Sequence, residues 1–151
     1  MSAPLLKDPE KKLLSEFGGV MEKAGLPDVS GKIFAWLLIC DPPCQTSDEI
    51  AQALGIDGDL AGQMGEMLTE FGMTEKVSLP DKKCFVVKPI GQMMQQRMGL
   101  LHEFRQTIQH SLILLKDQPE KQQRLKDLDS FYGLLEEELP KILACWEAGI
   151  K

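Results

Sequence analysis

Few residues in this chain have the types and spacing to do chemistry. Cys40 and Cys44 flank Asp41-Pro42-Pro43, and three intervening residues are tolerated between zinc ligands. A structural zinc site needs four ligands, however, and no second Cys/His pair stands at ligand spacing. His102 and His110 are eight residues apart in a helical pattern, so they are offset by about 80° of rotation and form no ligand pair. All four cysteines (Cys40, Cys44, Cys84 and Cys145) are expected as reduced thiols, with Cys40 buried as a small hydrophobe. Glu136, Glu137 and Glu138 are consecutive and read as a solvated helical face. Gly62 and Gly65 sit inside a helical pattern rather than after a strand, which excludes a phosphate-cradling loop. No nucleophile is paired with a base. The reading is a protein that is not an enzyme and carries no metal or cofactor.

Charge then limits the partners. The formal net charge is −6, so nothing global draws the chain to phosphate or to an anionic membrane. Nucleic-acid contact would have to come from a local patch. One is visible: Lys76, Lys82, Lys83 and Lys88 lie close together, with Asp81 the only acid between them. Gln63 has the side chain to read a base edge through two hydrogen bonds. Opposing this, the stretch from Asp41 to Glu75 holds eight acidic residues and no lysine or arginine. Lysines on a hairpin also serve simply to protect an exposed sheet edge.

The elements that must position these residues follow from periodicity. The chain's 151 residues, 43% hydrophobic and 26% charged, are ordinary for a globular protein. Asp8 with Pro9 is expected to start a first helix, and Ser30 to cap a second, nearly all-apolar one that ends at Asp41-Pro42-Pro43. Thr46 and Glu49 match a capping box for a third helix carrying Ile50, Ala53 and Leu54, closed by Gly55. Asp57 is expected to cap a fourth, with Leu60, Met64, Met67, Leu68 and Phe71 as its apolar face. Gly62 and Gly65 each cost that helix about 1 kcal/mol against alanine, so packing must hold it. Two strands, Met73–Leu79 and Lys83–Lys88, are joined by a charged turn. This order is a winged helix-turn-helix, a mainly α fold with a small β-hairpin. In it the second helix of the pair enters the major groove.

From Ile90 onward the pattern becomes long helices, giving a division into a winged domain with N-terminal support helices (1–89) and a coiled-coil-like helical arm (90–151). Leu125, Leu128, Tyr132, Leu135, Leu139, Ile142 and Trp146 alternate three- and four-residue steps, a dimerisation seam. The preceding helix has its own stripe, broken by Arg105. Packing within one subunit would also use such stripes; the limited capacity of a small core favours a second copy.

Three short stretches resemble a known family. Gly31-Lys32-Ile33 with the following Leu-Leu-Ile-Cys-Asp-Pro-Pro, the segment Ser47 to Gly55, and Phe71-Gly72-Met73 look like the GbsR-type branch of the MarR winged-helix transcription regulators. The resemblance covers roughly 17–89 and implies a dimeric DNA-binding repressor, in some members responsive to a small ligand. It also implies a serine and an arginine on the recognition helix; here those positions fall on Ala61 or Gly62 and on Gly65 or Glu66. The expected partners are therefore double-stranded DNA, a second copy of the chain and, as the alternative, a protein that engages the acidic helix in place of DNA. With no signal peptide or apolar span evident, a cytoplasmic location is expected and no membrane partner.

Overall fold

The computed structural model describes residues 6–149. Its order is α1 (Asp8–Lys23), α2 (Asp28–Ile39), α3 (Ser47–Leu54), α4 (Gly58–Glu70), β1 (Thr74–Ser78), β2 (Lys83–Val87), α5 (Ile90–Leu114), a 3-10 turn (Pro119–Lys121) and α6 (Gln123–Gly149). The chain divides into two compact units between Lys88 and Pro89.

Local chemistry sets the first unit's helix ends. Thr46 Oγ1 accepts from the Glu49 amide at 3.2 Å while the Glu49 carboxylate accepts from the Thr46 amide at 3.1 Å, so the capping box forms. Gly55 takes the left-handed conformation (φ 69°) that closes α3. Asp57 holds the cap position of α4 without a side-chain cap bond. Two expected starts are corrected. Lys7, not Asp8, precedes α1, and its amide is satisfied by Glu10 at 2.7 Å. Ser30 lies inside α2, fully buried, with its hydroxyl donating to the Pro27 carbonyl at 2.6 Å. The extended backbone of Pro27 admits the helix at Asp28, three residues earlier than expected.

The core of this unit gathers Ile33 and Leu37 of α2, Ile50 and Ala51 of α3, Ala61 and Leu68 of α4, and Phe85 of β2. The glycine at position 65 is explained by packing. A Cβ there would lie 2.8 Å from the Phe85 ring, so the ring rests on bare helix backbone. Phe71, expected on the apolar face, is half exposed. Helix α4 ends at Glu70, and Gly72 (φ 78°) turns the chain before Phe71 can come inward.

β1 and β2 pair antiparallel, with Thr74 opposite Val87 and Lys76 opposite Phe85. A one-residue third strand adds to them: the Gln45 amide donates to the Phe85 carbonyl at 2.9 Å, and the Phe85 amide to the Gln45 carbonyl at 2.7 Å. Gln45 is buried and both ends of its side chain are used, by the Trp36 indole at 3.3 Å and the Pro42 carbonyl at 2.8 Å.

Beside this bridge the cysteines depart from expectation. Cys44 and Cys84 form a disulfide, with Cα atoms 5.6 Å apart and 40 residues of separation. The expectation of four reduced thiols is overturned because folding of the wing places β2 against the link after α2, a proximity that spacing along the chain does not encode. Cys40 and Cys145 remain free. Closing a loop of that length restricts the unfolded chain by about 4 kcal/mol in the chain-entropy view.

The second unit is an αα-hairpin. Met94, Met98, Leu101, Arg105, Ile108, Leu112 and Leu115 form the sheltered stripe of α5 and its end. Gln122, just before α6, is buried, and the sheltered positions on α6 include Leu125, Asp129, Tyr132, Leu135, Glu136, Leu139 and Leu143. Two carboxylates thus occupy the stripe that meets α5. The helix continues through Pro140.

The fit of Phe85 on Gly65 predicts the effect of one methyl group. Overpacking costs about 1–3 kcal/mol, so Gly65→Ala is expected to lower stability by that amount although alanine favours helix. Phe85→Leu in the same chain should recover part of the loss in urea unfolding. A Gly65→Ala protein as stable as the parent would show that the ring shifts freely.

Candidate nucleic-acid interface

Helix α4 follows α3 as the second helix of the helix-turn-helix, and burial fixes which way it faces. Ala61, Gly65 and Leu68 are buried, leaving Asp59, Gln63, Glu66 and Glu70 as the exposed stripe. Gln63 is therefore at the surface that would meet a duplex, flanked by three carboxylates.

The hairpin lysines do not act as one group. Period-two alternation places Lys83 and Phe85 on one face of β2, and Lys76 is paired opposite Phe85. Lys76 and Lys83 consequently line a groove of about 630 Å³ beside α4. Asp48, Asp57, Asp59 and Glu66 line the same groove, so carboxylates outnumber ammonium groups there four to two. Lys76 is already engaged: its Nζ lies 2.5 Å from Glu66 Oε1. Lys82 sits in the turn between the strands, where the Leu79 amide donates to its carbonyl at 2.7 Å, and its side chain is exposed. Of the three lysines expected at the interface, Lys82 and Lys83 are exposed on the turn and the first residue of β2, while Lys76 is partly neutralised.

Cys40, half-buried at the C-terminal end of α2, is a thiol. Burial, with smaller contributions from Glu49 and Asp41, pushes its pKa up to about 11. No group of His, Cys, Asp and Glu among the described residues could hold a metal ion. No described helix is long and apolar enough to cross a membrane.

In the second unit the expected seam residues separate into two sets. Leu125, Tyr132, Leu135 and Leu139 are half-buried, while Leu128, Ile142 and Trp146 are exposed. Tyr132 packs edge-on to Phe104 of α5, with ring centroids 4.9 Å apart. What the sequence reading missed is the role of Arg105. It reaches from α5 to Asp129 at 3.1 Å and to Glu136 at 3.4 Å, and its hydrogen bond to Asp129 is the main cause holding the guanidinium pKa upward. Gly133 makes room for it, because a Cβ there would meet the guanidinium at 2.9 Å. His102 also approaches Glu136, at 3.1 Å. The break at Arg105 in an apolar stripe was the available signal, since a charge at such a position requires a partner across the seam.

Removing Arg105 leaves Asp129 and Glu136, two half-buried carboxylates on one face of α6, without their guanidinium partner. Arg105→Ala is expected to lower the melting temperature. Arg105→Met combined with Asp129→Leu and Glu136→Leu should restore it, since an apolar replacement of the whole cluster removes the unmatched charge. A melting temperature unaffected by Arg105→Ala would mean the carboxylates are fully solvated.

Comparison with known proteins agrees with this architecture. Residues 89–149 match the family model of the MmpR5-like MarR family transcriptional regulators. The HTH-type transcriptional regulator MmpR5 of Mycobacterium tuberculosis is 26% identical over 130 residues, covering 83% of this chain and 79% of that protein. A crystal structure of a transcriptional regulator superposes with a TM-score of 0.83 at 23% identity, over 93% of this chain and 99% of the other, and establishes the winged-helix fold. The matched model and this relative are both described as transcriptional regulators. The matched model is MmpR5-like; the GbsR-type branch is carried only by the short motifs in the first unit.

Proposed function

We propose that this MarR-like winged-helix chain is a dimeric DNA-binding transcriptional regulator that grips the duplex mainly through its wings. The observation that carries the reading is the placement of Lys82 and Lys83, exposed on and beside the turn of a hairpin that adjoins a helix-turn-helix. Wing tips meet phosphate, which gives affinity and orientation without sequence information. Gln63 is left as the base-reading side chain on α4, and the carboxylates around it weaken rather than build general attraction to phosphate.

A second copy of the chain supplies the second wing. Phe131, Leu134 and Ile142 on α6 are each more than half exposed, and Leu128 and Trp146 extend the apolar surface. Contiguous exposed apolar surface of this kind marks an interaction site. Closed two-fold pairing is the commonest way to bury it.

A different reading follows from the net-negative groove: α4 engages a basic protein surface in place of DNA. A salt titration of duplex binding separates the two. Each phosphate contact contributes about 0.9 to the slope of log K against log salt. Lys82→Ala with Lys83→Ala is expected to flatten that slope by about 2 per subunit. Absence of duplex binding at low salt, together with capture of a basic protein, would decide for the second reading.

The dimer is tested separately. Ile142→Asp places a charge on the exposed face without touching the α5 packing, and sedimentation is expected to show a monomer. An unchanged mass would remove that face from the subunit contact.

A further inference from the structure

We propose that Cys44 and Cys84 form a reversible thiol–disulfide latch, operated by a low-molecular-weight thiol/disulfide couple, that sets how firmly the wing is held against the helix-turn-helix. The consequence for duplex binding rests on the DNA-binding reading above.

The position of the bond distinguishes it from a simple staple. The 40-residue loop it closes contains α3, α4, β1 and the turn of the wing, which is the whole candidate interface. Its two ends lie next to Gln45 and Phe85, whose backbone bridge already ties the link to β2. Breaking the sulfur–sulfur bond therefore leaves two backbone hydrogen bonds and the buried Phe85 ring in place. The wing loosens, but the core need not open.

The two sulfurs differ in access. Cys84 is 1% exposed, while Cys44 is half-buried. Exchange then has a direction. The thiolate of an external thiol attacks the Cys44 sulfur, the Cys44–Cys84 bond breaks, and Cys84 leaves as a thiolate that takes up a proton. A second external thiol attacks the mixed disulfide on Cys44. This frees the Cys44 thiol and releases the external pair as its disulfide. Two electrons and two protons pass to the protein, and the reverse sequence restores the latch.

Cys40 is only four residues away in sequence but does not compete. Burial keeps it a thiol up to about pH 11, and the thiolate is the attacking form. A protein that works on DNA shares a compartment in which thiols are generally kept reduced, and disulfides that form there are characteristically transient or redox-sensing.

The test uses the full chain with Cys145→Ser, which removes the exposed thiol that would join two molecules. The native protein is equilibrated in a series of glutathione/glutathione-disulfide buffers, alkylated, and read by mass at each cysteine. Hydrogen exchange of the β1 and β2 amides and binding of a DNA duplex are measured at both extremes. After reduction without denaturant, Cys44 is expected to take label in the native protein and Cys84 once the acid-quenched sample is denatured, and the wing amides to exchange about tenfold faster once reduced. Duplex affinity should change with the same redox midpoint, and Cys44→Ser should give the reduced wing in every buffer. Reduction that requires unfolding overturns the proposal, as does equal wing exchange in the two states. Equal duplex affinity in both states also overturns it. If no duplex binds in either state, it is the DNA-binding reading that fails, and the labelling and wing exchange alone then decide the latch.

Discussion

The winged unit depends on the seat of one aromatic ring. Phe85 lies against the bare backbone of α4 at Gly65, and its own backbone is bridged to Gln45. An isolated two-stranded hairpin is marginal in water, and strands of five residues have little edge with which to hold a position. The ring seat, the Gln45 bridge and the Cys44–Cys84 bond supply what the hairpin lacks. They hold β2 from both faces, since Cys84 and Phe85 are consecutive and their side chains point to opposite sides. The same alternation puts Lys83, two residues before Phe85, and Lys76, the residue paired opposite Phe85, along the groove beside α4. The electrostatics of the groove are thus a consequence of where the ring sits.

That coupling explains why lysines counted together in sequence behave differently in space. An exposed ion pair such as Glu66–Lys76 contributes little to stability, in the range of about 0–1 kcal/mol. The pair also offsets one of the two positive charges on the groove wall. Charges at the surface act over roughly 8 Å at physiological salt. The groove therefore presents its local excess of carboxylates, whatever the cations elsewhere. Lys82 sits instead on the turn. The contact proposed at the wing and the carboxylate excess at the helix follow from one geometry.

Much of the first unit was legible because its signals are local. The capping box at Thr46 and Glu49, the left-handed Gly55 and the paired strands each involve residues within a few positions of one another, and each formed. Long-range features were not legible. Nothing near Gly65 announces that the ring of Phe85 will rest there, and nothing near Cys44 announces Cys84. Pro27 competed with Ser30 for the start of α2 and prevailed, because an extended proline ahead of Asp28 serves as an entry as well as a cap does. Gln45 was invisible for a similar reason: its importance lies in four hydrogen bonds, two with the backbone of Phe85, one with the Pro42 carbonyl and one with the Trp36 indole. The candidate site shows the same division. The acidity of α4 is plain from its sequence, whereas the capture of Lys76 by Glu66 appears only when the hairpin folds back.

In the helical arm, packing within the subunit and the face proposed for a second copy use different residues of α6. A helix buried on one side has a single apolar stripe, but α6 has two. The stripe against α5 is partly polar, with Asp129 and Glu136 answering Arg105 over Gly133. A charge cluster of this kind fixes register, because sliding either helix by one turn would strand the guanidinium against apolar side chains. The remaining apolar residues, Leu128, Phe131, Leu134 and Ile142, are displaced to another face and have nothing across from them in the hairpin. The seam read from sequence as a single alternation is therefore drawn from both surfaces. Arg105 ties α5 to α6 along one face, and the apolar face it leaves exposed is the one proposed for a second copy.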